Sequence, residues 1–179
     1  MDVFVEQMIK RKLSAKDYLI AVGIAIVAII LVFLCLTVFA KIIGTLFVLI
    51  IGGIIYIAYK LIRMRLLEFE YSFTNGDLTV DKIIDRSRRK RVISFDVKDV
   101  EEIGKYTLEN QKTILAKNTK MKLFTGKNVS GVNEDSWYIL CNSNRHGYFL
   151  LVFDPEEKVI EAIKKFLPVP VRVKCFEKK

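Results

Sequence analysis

The chain has 179 residues, with 29 lysines and arginines against 20 aspartates and glutamates, a net charge of +9 and a mean hydropathy of +0.30. That balance excludes a disordered polar chain and leaves room for one ordinary soluble domain plus roughly sixty further residues. One histidine and three cysteines without metal-ligand spacing argue against a metal module and imply no cofactor.

The opening stretch MDVFVEQMIKRK puts Val3, Phe4, Met8 and Ile9 at helical spacings ahead of a basic end. It predicts a short amphipathic segment over residues 1–14, a helix lying at the membrane surface, with a frayed terminus as the other reading. Ser14 and Asp17 supply side-chain oxygens for the free N–H groups of a helix start, which places the start near Ala15.

Tyr18 to Phe39 are 22 consecutive uncharged residues, about 33 Å of helix. After Lys41, Ile42 to Tyr59 add 18 more, about 27 Å. The pattern predicts a transmembrane helical hairpin over residues 15–62, with spans at about 18–39 and 42–59. A cleaved signal peptide is the first alternative, but the apolar run is too long, a second one follows at once, and LTVFAK is a poor cleavage site. Two buried core helices of a soluble protein are the second alternative, and residues 66–179 offer too little apolar surface to enclose them.

Lys10, Arg11, Lys12 and Lys16 precede the first span and Lys60, Arg63 and Arg65 follow the second, whereas the turn carries only Lys41. Both termini are therefore expected in the cytoplasm, in a multi-pass protein of the cell membrane. Cys35 falls in a span, and Cys141 and Cys175 suit a reducing compartment. The spans hold no Asp, Glu, Arg or His, which argues against a transport pathway. Ala21, Ala25, Gly52 and Gly53 let the spans approach closely, with a dedicated oligomer face as the alternative.

Past Arg65 the period changes to alternation. LLEFEYSF reads as a strand with Leu67, Phe69, Tyr71 and Phe73 on one face; Asn75-Gly76 is a tight hairpin turn; DLTVDKII returns with Leu78, Val80 and one of Ile83 or Ile84 inward. A basic run, Arg86, Arg88, Arg89, Lys90 and Arg91, turns the chain into RVISF, and DVKDVEEIGKY supplies a fourth strand or a bend. Residues 107–135 read as a long polar connection with at most one short strand, near Met121 to Phe124. Asn128-Val129-Ser130 matches a glycosylation sequon that has no meaning in a cytoplasmic domain. SWYILCN and GYFLLVF are two strands joined by SNRHG. Asp154, as N-cap, and Pro155 then open an amphipathic helix whose apolar face is Val159, Ile160, Ile163, Phe166 and Leu167 and which ends before Pro168. A basic tail, residues 169–179, closes the chain.

Six or seven antiparallel strands followed by one helix is the layout of a pleckstrin-homology-like (PH-like) domain. Tyr71 to Thr74, Leu78 to Ile84, the basic Arg86 to Arg91, Val92 to Phe95 and Val97 to Ile103 also resemble the opening of bacterial PH-like domains that follow transmembrane segments. The two-span hairpin with such a domain looks like a group of small bacterial membrane proteins. The resemblance implies an α+β architecture, an antiparallel sandwich or barrel over 66–168, and no activity. It does not extend to phosphoinositide recognition, because the first strand connection here, Thr74 to Asp77, is tight and acidic.

His146 has no placeable catalytic partner, and Asp96, Asp99, Glu101 and Glu102 scatter over both faces of a strand as a solvated edge. No phosphate-cradling loop or nucleophile elbow is present in the sequence, which points away from an enzyme and a small-molecule substrate. Residues 1–65 account for +5 of the net charge, as membrane topology requires, and the remaining +4 gathers at Arg86 to Arg91 and the tail. Trp137 and the tyrosines read as core, without an aromatic platform for nucleic acid. Two functions remain: a membrane-tethered protein-interaction module, or a module that contacts anionic lipid head groups through Arg86, Arg88, Arg89, Lys90 and Arg91. A solvated hairpin turn is the plain reading of that cluster.

Overall fold

The structure, a computed structural model, describes residues 2–39, 46–129 and 131–177. The expected turn at Lys41, Ser130 of the sequon, and Lys178 and Lys179 lie outside the described residues. The chain divides into two units, residues 13–67 and the remainder.

The first unit is helical. The Asp17 carboxylate accepts from the Ser14 N–H at 3.0 Å, and helix α1 (Ala15–Leu34) starts where the sequence places it. It is apolar along most of its length and leaves Leu19, Ile29 and Phe33 exposed. With the π-helical turns that follow, Ala15–Thr37 is long and apolar enough to cross a membrane. A second helix, α2 (Leu46–Arg63), carries Lys60 and Arg63 in its last turn, where cations complement the exposed carbonyls.

The second unit is two four-stranded sheets. Sheet A has the order β1 (Phe4–Lys10), β2 (Leu67–Thr74), β3 (Asp77–Ile84), β4 (Arg88–Asp96). Sheet B has the order β5 (Val100–Lys105), β7 (Trp137–Ser143), β8 (Gly147–Phe153), β6 (Met121–Phe124). The expected surface helix at the N-terminus is instead strand β1, antiparallel to β2 from Phe4↔Thr74 to Lys10↔Glu68. The pairing turns Gln7 and Ile9 inward and leaves Phe4 and Met8 exposed. A strand gains a full ladder of backbone hydrogen bonds here, which a seven-residue helix at a surface does not. The helical unit is thus inserted between two paired strands.

Asn75 and Gly76 take φ of 48° and 106°, as a hairpin turn of this kind requires. Phe69, Tyr71, Phe73, Leu78, Val80, Ile93 and Phe95 from sheet A meet Ile103, Ile139, Phe149, Leu151 and Phe153 from sheet B in one core. The other face of sheet B is also buried. Tyr138, Leu140, Leu150 and Val152 lie under Tyr106 and Ile114, the latter from a short helix α3 (Gln111–Ala116). Residues 107–135 are therefore a cover, and β8 reads as an unbroken apolar run because both its faces are dry. Pairing of β6 with β8 is parallel, a departure from the expected all-antiparallel meander. It arises because the cover crosses the sheet before returning along its edge.

Helix α4 (Glu157–Phe166) buries Val159, Ile160, Ala162 and Ile163 against the core. Its N-cap is Glu156, not Asp154. Asp154 is buried and accepts from Lys127 N–H (2.6 Å), Asn133 Nδ2 (2.8 Å) and Ser136 Oγ (2.7 Å), so its carboxylate ties down the β6–β7 connection. The tail also differs from expectation. Residues 169–177 form a short helix α5 (Val169–Arg172) and a π-helical turn beside β5, with Val171, Cys175 and Phe176 against the core.

Candidate functional site

The basic run forms the tip of the β3–β4 hairpin. Asp85 and Arg86 occupy the left-handed region at φ 51° and 55°, and Ser87 N–H donates to Ile84 O at 3.1 Å. A register shift between Val80 and Asp81 precedes the tip. Beyond it, Asp81 faces Arg91, Lys82 faces Lys90, Ile83 faces Arg89 and Ile84 faces Arg88. Directly opposed residues share a face and successive pairs alternate, so the tip has two chemically different sides.

One side is neutralised. Arg91 Nε lies 3.1 Å from Asp81 Oδ1, Arg89 forks onto Glu70 at 3.1 and 3.0 Å, and Arg86 Nε lies 3.5 Å from Glu68 Oε1. Glu70 and Glu68 are only 6% and 8% exposed on the central strand, with Ile83 buried on the same side. Burial holds the Glu70 carboxyl above its ordinary value; a hydrogen bond with Glu6 adds to this and the Arg89 charge opposes it. Three of the five expected contact residues are thus occupied by the domain's own carboxylates.

The other side carries Lys82, Lys90 and Arg88 with Ile84, and none of these cations has a carboxylate partner among the described residues. Like charges directly opposed, as Lys82 and Lys90 are, destabilise a sheet unless an anion sits between or above them. Lys82 escaped the sequence reading because it lies in the preceding strand and only the register brings it beside Lys90. The position adds to the chemistry. Lys10 pairs with Glu68 at the end of sheet A from which the chain leaves for the helices and returns, and Arg86 at the tip reaches Glu68 at that same end.

The other sequence candidates are structural. Asp96 accepts from Lys98 N–H at 2.8 Å and starts a 3-10 turn, Val97–Asp99. Glu102 holds Lys117 and accepts from Tyr138 Oη at 2.7 Å; burial acts to raise its pKa, but these partners outweigh it and keep the carboxyl below its ordinary value. His146 sits in the β7–β8 turn, edge-on to Phe149. Among the described residues, no group of three His, Cys, Asp or Glu is placed to hold a metal ion.

The domain is thus two sheets closed by a helix, with a charged hairpin tip and a buried carboxylate, Asp154, that ties down the connection between β6 and β7. The chain belongs to the bacterial PH-like domain family (DUF6106), whose model matches residues 1–173 and so takes in β1 and both helices. PH-like domains are typically non-catalytic binding modules. No curated protein and no solved structure matches the chain.

Proposed function

We propose that the protein is a membrane-anchored, non-catalytic binding module. Its two helices span the cell membrane as a hairpin with both termini in the cytoplasm, and its PH-like domain rests the β3–β4 tip on acidic lipid head groups. One observation carries this reading: among the described residues Lys82, Arg88 and Lys90 have no carboxylate partner, and they lie on the hairpin whose tip shares the sheet end where the chain enters and leaves the helical unit. Each basic side chain near an anionic surface contributes on the order of 1 kcal/mol, and tethering lets so weak a contact persist.

The test is amide exchange of the full chain in lipid nanodiscs. Residues 82–91 are expected to be protected in anionic discs at low salt. Protection should be lost in neutral discs, at high salt, and in a variant with Lys82, Arg88 and Lys90 changed to Ser. Equal exchange in neutral and anionic discs defeats the reading. Among the described residues no strand pairs with the outer edge of β4, which favours a second reading, a protein-interaction or scaffold module in which a partner segment adds as a strand.

A further inference from the structure

The face of sheet A turned away from the core gathers charge from every strand. Glu6 and Lys10 of β1 lie opposite Ser72 and Glu68 of β2, Glu70 lies between those two across from Met8, and Asp81 of β3 faces Arg91 of β4. Arg89 forks onto Glu70, Arg91 meets Asp81, and Arg86 reaches Glu68 from the tip. The three paired carboxylates differ in enclosure: the Glu70 side chain is 7% exposed, that of Glu68 11% and that of Asp81 18%, whereas Arg89 is 61% exposed. Glu70 also differs in facing a second acid. It hydrogen-bonds with Glu6, and two carboxyl groups can do so only when one of them carries a proton.

We infer, on the lipid reading above, that Glu70 is an acid-operated latch on the basic tip. Ionised, it holds Arg89 against sheet A; protonated, it donates to the Glu6 carboxylate and frees Arg89 to join Lys82, Arg88 and Lys90 at the head groups. Arg89 stands between Arg88 and Lys90 in the chain, so its largely exposed side chain swings to the same surface once the pair opens. Burial and the nearby Glu6 and Asp81 carboxylates favour the protonated form of Glu70, and the Arg89 charge opposes them. Lys10, opposite Glu68, and Arg86 and Arg91, each on its own carboxylate, are the remaining cations of the face. An anionic membrane surface concentrates protons, which opens the latch where the freed arginine has a partner.

The test uses the full chain in neutral and in phosphatidylglycerol nanodiscs, at about pH 7.5 and about pH 5.5. Amide protection of residues 82–91 in anionic discs, divided by that in neutral discs at the same pH, should rise about fivefold in acid, the gain of one cation at an anionic surface. Glu70→Gln should hold the high ratio at both pH values. An equal rise in parent and Glu70→Gln overturns the latch; the single histidine, His146 in the β7–β8 turn, titrates in both chains and is cancelled by that comparison. A second measurement needs no lipid contact. In neutral discs the ratio of phenylglyoxal labelling at Arg89 to that at Arg91 should rise in acid in the parent and be high at both pH values in Glu70→Gln. A constant ratio in the parent overturns the latch. A labelling shift without any difference between anionic and neutral discs keeps the latch and defeats the lipid reading.

Discussion

The side-chain amide of Gln7 clasps the main chain around Pro155. Its Nε2 donates to the Asp154 carbonyl at 3.1 Å, and its Oε1 accepts from the Glu156 N–H at 2.7 Å. Strand β1 is thereby fastened both to β2 and to the start of α4. Replacing Gln7 with Ala leaves a buried carbonyl and an N–H without partners, at a cost of about 2–3 kcal/mol. Thermal unfolding followed by near-ultraviolet circular dichroism should show the loss, and Gln7→Glu should recover only the acceptor half.

Asp154 should be the most sensitive polar position in the domain. Asp154→Ala orphans the Lys127 N–H, Asn133 Nδ2 and Ser136 Oγ together and should cost about 3–5 kcal/mol, with faster amide exchange in residues 125–136. Gly126 provides an independent check. A Cβ there falls 2.8 Å from both Asp154 carboxylate oxygens, so Gly126→Ala should destabilise even though alanine is ordinarily benign. Unchanged stability in Gly126→Ala would disprove the close approach.

Arg86 pays a conformational cost at φ 55° for an ion pair in which its own side chain is 68% exposed and that of Glu68 is 11% exposed. In Arg86→Gly the relief of the left-handed strain opposes the loss of a cation from the half-enclosed Glu68, so thermal unfolding should show a net change of no more than about 1 kcal/mol. Contact with anionic nanodiscs should persist, since Lys82, Arg88 and Lys90 are untouched. A marked loss of lipid contact in Arg86→Gly would return that residue to the site.

The raised pKa of Glu70 sets the sign of a pH effect. The fold favours the protonated carboxyl, so this stabilising contribution is complete below the ordinary value near 4.5 and is lost as pH rises through the elevated folded value. Glu70→Gln mimics the protonated form. The variant should match the parent in melting temperature in acid and exceed it at neutral pH. A variant less stable than the parent at neutral pH would show that the Arg89 pair dominates.

Cys141 is fully buried, and its thiol is pushed up to about 12, first by burial and then by the Asp99, Glu101 and Asp96 carboxylates. In the native chain it should resist maleimide at pH 8 while Cys175 labels, and it should react once the domain is unfolded. Mass spectrometry of the labelled peptides separates the two sites.

Local chemistry explains which features could be read in advance. Asn75-Gly76, the Ser14–Asp17 start of α1 and the strand Met121–Phe124 each declare themselves within a few residues. Strand β1 did not, because its inward pair is polar Gln7 and apolar Ile9, which breaks the alternation and leaves Phe4, Met8 and Ile9 at helical intervals. Asp154 reads locally as an N-cap because the same carboxylate suits either role; its true partners, Lys127, Asn133 and Ser136, are contributed by a distant connection. At the hairpin tip, five cations were visible but their sorting was not. The shift at Val80/Asp81 decides that Arg89 and Arg91 meet carboxylates while Lys90 meets Lys82.

The interruption of sheet A between β1 and β2 also orders the protein's biogenesis. Strand β1 is synthesised before the helices, and its partner Glu68 exists only after both have been made. On the proposed topology the ladder closes only when the hairpin has delivered β2 to the compartment that already holds β1. A chain that crosses the membrane once, or retains one span in the wrong leaflet, separates the two strands by a bilayer and leaves β2 with an open edge. On that topology completion of the domain reports correct insertion, and a misinserted copy leaves β2 without its β1 partner.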